Sequence, residues 1–172
     1  MAHQNSIFIL MGVSSTGKTS VGTAIANKLK MKLIDGDDLH PKANILKMRS
    51  GLPLNDQDRE PWLVRIRDAA FSLNQKSESG IIVCSALKKQ YRNIIRDGNP
   101  FIRFIFLSGS FELILDRMKK RQGHYMKTDM LRSQFDTLEV PQSDENDVDT
   151  INIDNSFDAV VADCISVIEK YQ

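Results

Sequence analysis

The sequence predicts a three-layer α/β fold, with about five parallel strands in one sheet and helices on both of its faces. Three observations lead there. Short, nearly continuous apolar runs recur along the 172 residues. Stretches with helical spacing lie between those runs, and a glycine-containing loop joins the first run to the first helical stretch. Apolar runs without strict alternation suit strands buried on both faces, and strands that alternate with helices build parallel βαβ units.

The first run is Ile7 to Met11, followed by Val21, Ile25 and Leu29 at helical spacing. Met31 to Ile34 forms the second run. The stretch Asp35 to Pro61 then breaks the rhythm, with Gly36, Pro41, Gly51, Pro53 and Pro61 among many charges. It reads as a substrate-binding insertion over about residues 36–61. Helical spacing resumes from Trp62 to Leu73, before a third run at Ile81 to Cys84. The fourth run, Phe101 to Leu107, includes Arg103 and is expected to be less completely buried. A helical stretch from Phe111 to Arg121 leads into the short polar segment Gln122 to Thr128, which reads as a lid over about residues 117–130. Thr128 to Leu138 is again helical, Val148 to Ile153 is the fifth run, and Ala159 to Ile168 is the last helical stretch. With no internal repeat or low-complexity linker, one domain over residues 1–172 is expected.

Composition narrows the function. Hydrophobic residues make up 41% and charged residues 26%, a balance that argues against a disordered or fibrous chain. A formal net charge of +1 gives no global basic field to attract nucleic acid or an anionic membrane. No apolar run approaches the roughly 18 residues of a membrane span. The polar start, Met1 to Asn5, does not read as a secretory signal, so a cytoplasmic location is expected. Cys84 and Cys164 read as small buried hydrophobes, and His3, His40 and His124 lack metal-ligand spacing.

The most informative segment is Gly12-Val13-Ser14-Ser15-Thr16-Gly17-Lys18-Thr19, a full match to G-x-x-x-x-G-K-[ST]. It follows a strand and opens a helix, the context that this phosphate-binding motif requires. Gly12 and Gly17 let the backbone curl so that successive N–H groups face phosphate oxygens. The helix starting near Lys18 adds the positive end of its dipole. Lys18 is placed to reach the β- and γ-phosphates, and the Thr19 hydroxyl to ligate Mg²⁺. ATP with Mg²⁺ is therefore the expected cofactor, bound by all eight residues of the loop.

A guanine-nucleotide switch needs D-x-x-G and N-K-x-D segments, and neither occurs; Asn27-Lys28 is followed by Leu29-Lys30. A motor ATPase usually carries a strand ending in Asp-Glu, whereas here the comparable strand ends Val83-Cys84-Ser85. Asp35-Gly36-Asp37 instead puts two carboxylates at the carboxyl end of the second strand, where open α/β sheets bind ligands. Asp37 is the expected base for an attacking hydroxyl, and Asp35 the metal-side carboxylate. An acidic turn is the plainer reading, since Asp and Gly favour turns. Arg117 and Arg121 share one helix face, with Arg117 directed to the base and Arg121 to the phosphates as a catalytic charge stabiliser. A solvated basic helix end, with Lys119 and Lys120, is the competing reading.

These pieces resemble the gluconate kinases of the short P-loop type, relatives of shikimate and adenylate kinases. The resemblance covers nearly the whole chain. It rests most specifically on Asp35-Gly36-Asp37-Asp38-Leu39-His40-Pro41 and Cys84-Ser85-Ala86-Leu87-Lys88. Gly51-Leu52-Pro53-Leu54, Pro61-Trp62-Leu63 and Ser133-Gln134-Phe135 add to it. One departure is Ser15-Thr16 in the loop, where similar gluconate kinases often carry Gly-Ser. The resemblance implies a P-loop kinase domain with a lid, a homodimer, and transfer of phosphate from ATP to D-gluconate, giving 6-phospho-D-gluconate.

A gluconate site needs a cation for the carboxylate and donors and acceptors for the hydroxyls. The expected acceptor set is Asp37, His40, Arg49, Ser85 and Lys88, drawn from a region that also offers Asp56, Asp58 and Arg59. Arg49 is the first choice for the carboxylate, with Lys88 and Arg92 as rivals, because an arginine fork matches a carboxylate. Plainer roles stay open: Asp58 as a helix cap, His40 as a loop-fixing partner, Lys88 and Arg92 as a solvated helix face. Another small hydroxy acid such as shikimate is the nearest alternative acceptor, and a non-catalytic nucleotide-binding regulator the alternative to an enzyme.

Overall fold

The five apolar runs become strands β1 (Ile7–Met11), β2 (Lys32–Asp35), β3 (Gly80–Val83), β4 (Ile102–Ser108) and β5 (Val148–Asn152). The computed structural model describes residues 6–120 and 128–172. All strand pairs are parallel, in the order β2-β3-β1-β4-β5. Alternate side chains of a strand point to opposite faces, so β1 feeds two cores. Phe8 and Leu10 enter one, with Val21 and Ile25 of α1 (Lys18–Leu29) and Val160, Val161 and Cys164 of α7 (Phe157–Lys170). Helices α5 (Phe111–Lys120) and α6 (Thr128–Thr137) add Ile114, Met118 and Leu131 to that face. Ile7, Ile9 and Met11 enter the other core, with Trp62, Leu63 and Ile66 of α3 (Asp56–Gln75) and Tyr91 and Ile95 of α4 (Lys89–Arg96). These are the three layers that the sequence predicts.

The helix inventory needs correction in three places. Within the expected polar insertion, a 3₁₀ turn at Gly36–Leu39 is followed by helix α2 (Lys42–Arg49). That helix leaves Ile45, Leu46 and Met48 exposed, so it carries no buried apolar stripe for periodicity to find. Helix α3 begins six residues before Trp62. The Asn55 side chain accepts from Asp58 N at 2.7 Å, and the Asp58 carboxylate accepts from Asn55 N at 2.9 Å, a reciprocal capping box. Pro61 therefore lies inside the helix, where it forfeits a backbone bond, rather than before it. Finally, α4 lies outside the stretches marked by spacing because one residue of its buried face is an arginine, Arg92.

Topology places the ligand crevice. From β1 the chain runs to one side through β2 and β3, then crosses to β4 on the other, so the carboxyl end of β1 sits at the switch point. Gly36 is required there by close approach: a Cβ at this position would lie 2.3 Å from the Val83 carbonyl oxygen. Among the described residues no helix is long and apolar enough to cross a membrane.

Candidate active site

The loop leaving β1 is shaped by two glycines with positive φ, Gly12 at 145° and Gly17 at 89°. A Cβ on Gly12 would also meet the Leu107 carbonyl oxygen at 2.8 Å. Inside the curl, the Thr16 hydroxyl donates to Val13 O at 3.0 Å. No side-chain capping bond closes the start of α1, which leaves its first N–H groups for an anion. Lys18 folds back and donates to the carbonyl oxygens of Gly12 and Val13, each at 2.8 Å. Burial pulls its ammonium down to a pKa of about 8, against the opposing influence of Cys84, Asp37 and Asp35.

Two cavities flank this loop and share Ser15, Gly17 and Ser20. One, of about 460 Å³, is lined by Lys18, Thr19, Asp37, Arg59, Ser85, Tyr91 and Gln134 among others. The other, of about 410 Å³, is lined on its far side by Arg117, Ile153, Asn155 and Phe157. Arg117 donates to the backbone oxygens of Ile153 and Asn155, so its guanidinium is fixed beside the second cavity. A ligand laid across the loop would have one end in each chamber.

Asp35 ends β2, and Asp37 follows in the 3₁₀ turn. The Asp35 side chain caps the 3₁₀ turn, its Oδ1 accepting from Asp37 N at 3.0 Å, and it is not part of the cavity lining. Asp37 opens onto the larger cavity, where desolvation, and then the Asp35 carboxylate, push its carboxyl above the usual range. Among the described residues no cluster of three or more His, Cys, Asp or Glu could hold a metal alone. Thr19 and the two aspartates nonetheless offer hard oxygen donors next to the phosphate loop. That suits Mg²⁺, which keeps several waters and takes phosphate oxygens as ligands.

The acceptor wall is a chain of contacts. Arg59 Nη1 donates to the Tyr91 hydroxyl at 3.3 Å, with the guanidinium 5.7 Å from the ring centre. The Tyr91 hydroxyl in turn donates to Asp56, which also accepts from Lys88 at 3.0 and 3.2 Å and from Gln90 at 2.9 Å. The tyrosine bond and then the lysine hold the Asp56 carboxyl down at about 2. Behind this wall Arg92 is completely buried, forked onto Glu145 at 2.7 and 2.8 Å. Its remaining donors reach the carbonyls of Ala86, Leu87 and Glu139, so it pins the turn after β3 to the segment after α6. Burial pushes the Glu145 carboxyl up, but its bonds to Arg92 and Arg96 outweigh this and hold it low.

Comparison with known proteins decides the family. The shikimate kinase family model matches residues 14–169. The thermoresistant gluconokinase of Escherichia coli (strain K12) is 50% identical over 168 residues, 98% of this chain and 96% of that protein. The chain belongs to the gluconokinase family. The thermosensitive gluconokinase of the same strain is 54% identical over 157 residues, covering 91% and 84% of the two chains. The crystal structure of a gluconokinase from Sinorhizobium meliloti 1021 matches with a TM-score of 0.87 at 37% identity, covering 98% of this chain and 94% of that one. Like other gluconokinase-family proteins, the chain is an ATP-dependent kinase, an alternative that excludes the switch and motor readings.

Against that family membership, the residues marked by sequence divide into three groups. Val13, the adjoining Gly12, and Ser14 to Thr19 form one loop, with Asp37 and Ser85 in the adjoining cavity and Arg117 beside the other. Arg49, His40 and Lys88 are not brought to the cavity lining. Arg49 lies on the exposed last turn of α2. His40 stacks on Trp62, centroids 4.2 Å apart, and its Nδ1 lies 3.2 Å from the Asn44 amide; burial lowers its pKa. Lys88 is engaged by Asp56. Arg121 and half of the expected lid, residues 121–127, lie outside the described residues. Arg59, Tyr91 and Gln134 are cavity residues that the expected site omits. Arg59 could have been found from the α3 capping box, which sets it one turn inside a helix facing the crevice.

Proposed function

We propose that the chain transfers the γ-phosphoryl group of ATP to the 6-hydroxyl of D-gluconate, giving 6-phospho-D-gluconate and ADP. The observation that supports this most is the pair of chambers meeting at one phosphate loop, with Asp37 in one and Arg117 beside the other. In this reading the nucleoside occupies the chamber beside Arg117, and the phosphates lie over the loop N–H groups. Lys18 exchanges its two carbonyl partners for β- and γ-phosphate oxygens. Thr19, with Asp35 on the metal side, holds Mg²⁺, which when bound neutralises charge on the phosphates.

Gluconate enters the larger chamber with its primary hydroxyl toward Asp37. As the bond from O6 to the γ-phosphorus forms and the bond from that phosphorus to the β–γ bridging oxygen breaks, the hydroxyl proton passes to Asp37. A carboxyl raised above its usual range is a better base for this than an ordinary aspartate. Arg59, the guanidinium lining this chamber, takes the substrate carboxylate in preference to Arg49, and Ser85 and Tyr91 meet hydroxyls. Arg121 stabilises charge on the transferring group. The same reading covers a lid over about residues 117–130 and a cytoplasmic homodimer, on the resemblance to gluconate kinases.

Release of ADP with gluconate, shikimate and nucleosides as acceptors tests the proposal, with the product identified by phosphorus NMR. Turnover confined to gluconate, with phosphate on O6, is the expected result. Equal or faster turnover with shikimate would reassign the acceptor, and ATP binding without phosphorylation of any acceptor would leave a regulator.

A further inference from the structure

Gln134, on α6, reaches across to the third residue of the phosphate loop and bonds to it twice. Its Oε1 accepts from Ser14 N at 2.7 Å, and its Nε2 donates to Ser14 Oγ at 2.6 Å. The orientation of the side-chain amide is fixed by chemistry. A backbone N–H can only donate, so the oxygen of Gln134 must face it, and the NH₂ group must face the serine hydroxyl. Two consequences follow for Ser14. Its backbone N–H is already used and is withdrawn from the set that can bind phosphate. Its Oγ already accepts a bond, so the hydroxyl hydrogen is left to donate in another direction. Ser14 and Gln134 both line the cavity that holds Lys18, Asp37 and Arg59.

We propose that the Ser14 hydroxyl is a directed hydrogen-bond donor to the transferring phosphoryl group, and that Gln134 is the residue that positions it. The proposal rests on the phosphoryl-transfer reading of this cavity. It adds a side-chain donor to a loop whose motif accounts only for backbone donors, the lysine and the threonine. It also gives α6 a task in the reaction: a displacement of that helix would turn the donor away. A donor aimed at charge that develops during transfer acts chiefly on kcat, and removing one such group costs up to about 10²–10³ in rate.

The test is a set of variants assayed for kcat, for KM toward ATP and gluconate, for ADP affinity and for Tm. Ser14→Ala is expected to lower kcat by about 10–100-fold while leaving ADP affinity within about twofold, because ADP has no γ-phosphate. Ser14→Thr, which keeps the hydroxyl, is expected to restore most of the rate. Gln134→Met should reproduce the loss, and Ser14→Ala/Gln134→Met should be no slower than the worse single variant. Gln134→Glu is the sharpest member. Its second carboxylate oxygen can only accept, so it draws the serine hydrogen onto itself and should slow wild-type Ser14 while changing Ser14→Ala little.

A Ser14→Ala enzyme with near-wild-type kcat overturns the proposal. Losses that multiply in the double variant do so as well, as does a Gln134→Glu effect of equal size in the Ser14→Ala background. The series is repeated on slow ATP hydrolysis without an acceptor. A wild-type protein idle toward gluconate would then count against the acceptor alone, and the serine effect would still be read.

Discussion

The two chambers that meet at the phosphate loop are built in opposite ways. The phosphate loop is eight consecutive residues, curled by Gly12 and Gly17 so that backbone N–H groups supply most of the donors it can offer an anion. The acceptor side is assembled from the turn after β2, from α3, from the end of β3, from α4 and from α6. Charges behind its lining hold it in place, Asp56 bound to Lys88 and to the Tyr91 hydroxyl, Arg92 forked onto Glu145. Nucleotide affinity should therefore follow backbone shape, while acceptor recognition should follow packing at a distance.

The largest expected break in that contrast is at Asp37. Asp37→Asn should lower kcat by about 10²–10⁴-fold, the usual share of a general base, with ATP affinity retained in a direct binding measurement. Because the Asp37 carboxyl is raised, the wild-type kcat/KM should already fall with decreasing pH above the ordinary aspartate range, as the base becomes protonated. A rate profile flat down to pH ~4 would exclude this role.

Arg92 comes next, and there the readout is stability. Arg92→Ala leaves the buried Glu145 to Arg96 alone and takes a donor from the carbonyls of Ala86, Leu87 and Glu139, so it should cost about 3 kcal/mol by denaturant unfolding. Arg59→Ala should raise KM for gluconate by about 10–100-fold, the range for a lost charged hydrogen bond, and leave KM for ATP unchanged. Equal KM for gluconate in Arg59→Ala, with a rise in Arg49→Ala, would return the carboxylate to α2.

The smallest effect sharpens the nucleotide side. With its pKa at about 8, Lys18 of the free protein loses its proton as pH rises through that value. Bound phosphates favour the charged form, so ATP binding above pH ~8 should take up a proton and weaken with further increase in pH. Calorimetry in two buffers of different ionisation enthalpy measures that uptake; identical heats would remove the assignment.

What could be read in advance follows the same division. β1, the loop and α1 are contiguous, and each residue type there has a local reason, so the sheet and the curl of the loop were legible together. Arg92 shows where reading stops. Spacing four residues from Lys88 suggested a solvated face, but its partner Glu145 is 53 positions away, and only the fold brings the two together. Gln134 was hidden likewise, since which wall of a crevice a helix forms depends on packing. Helix α2 escaped because its apolar residues face outward, and the start of α3 because Pro61 looked like a boundary.

The bonds from Lys18 to the carbonyls of Gly12 and Val13 have a bearing on which nucleotides the loop can retain. The curl is held from within before any ligand arrives, so little of the ordering cost falls on the binding step. The same arrangement sets a threshold. On the proposed reading, a newcomer must offer the ammonium oxygens better than two neutral carbonyls, as charged β- and γ-phosphates would. Preorganisation of the loop would then double as a filter on phosphate-chain length.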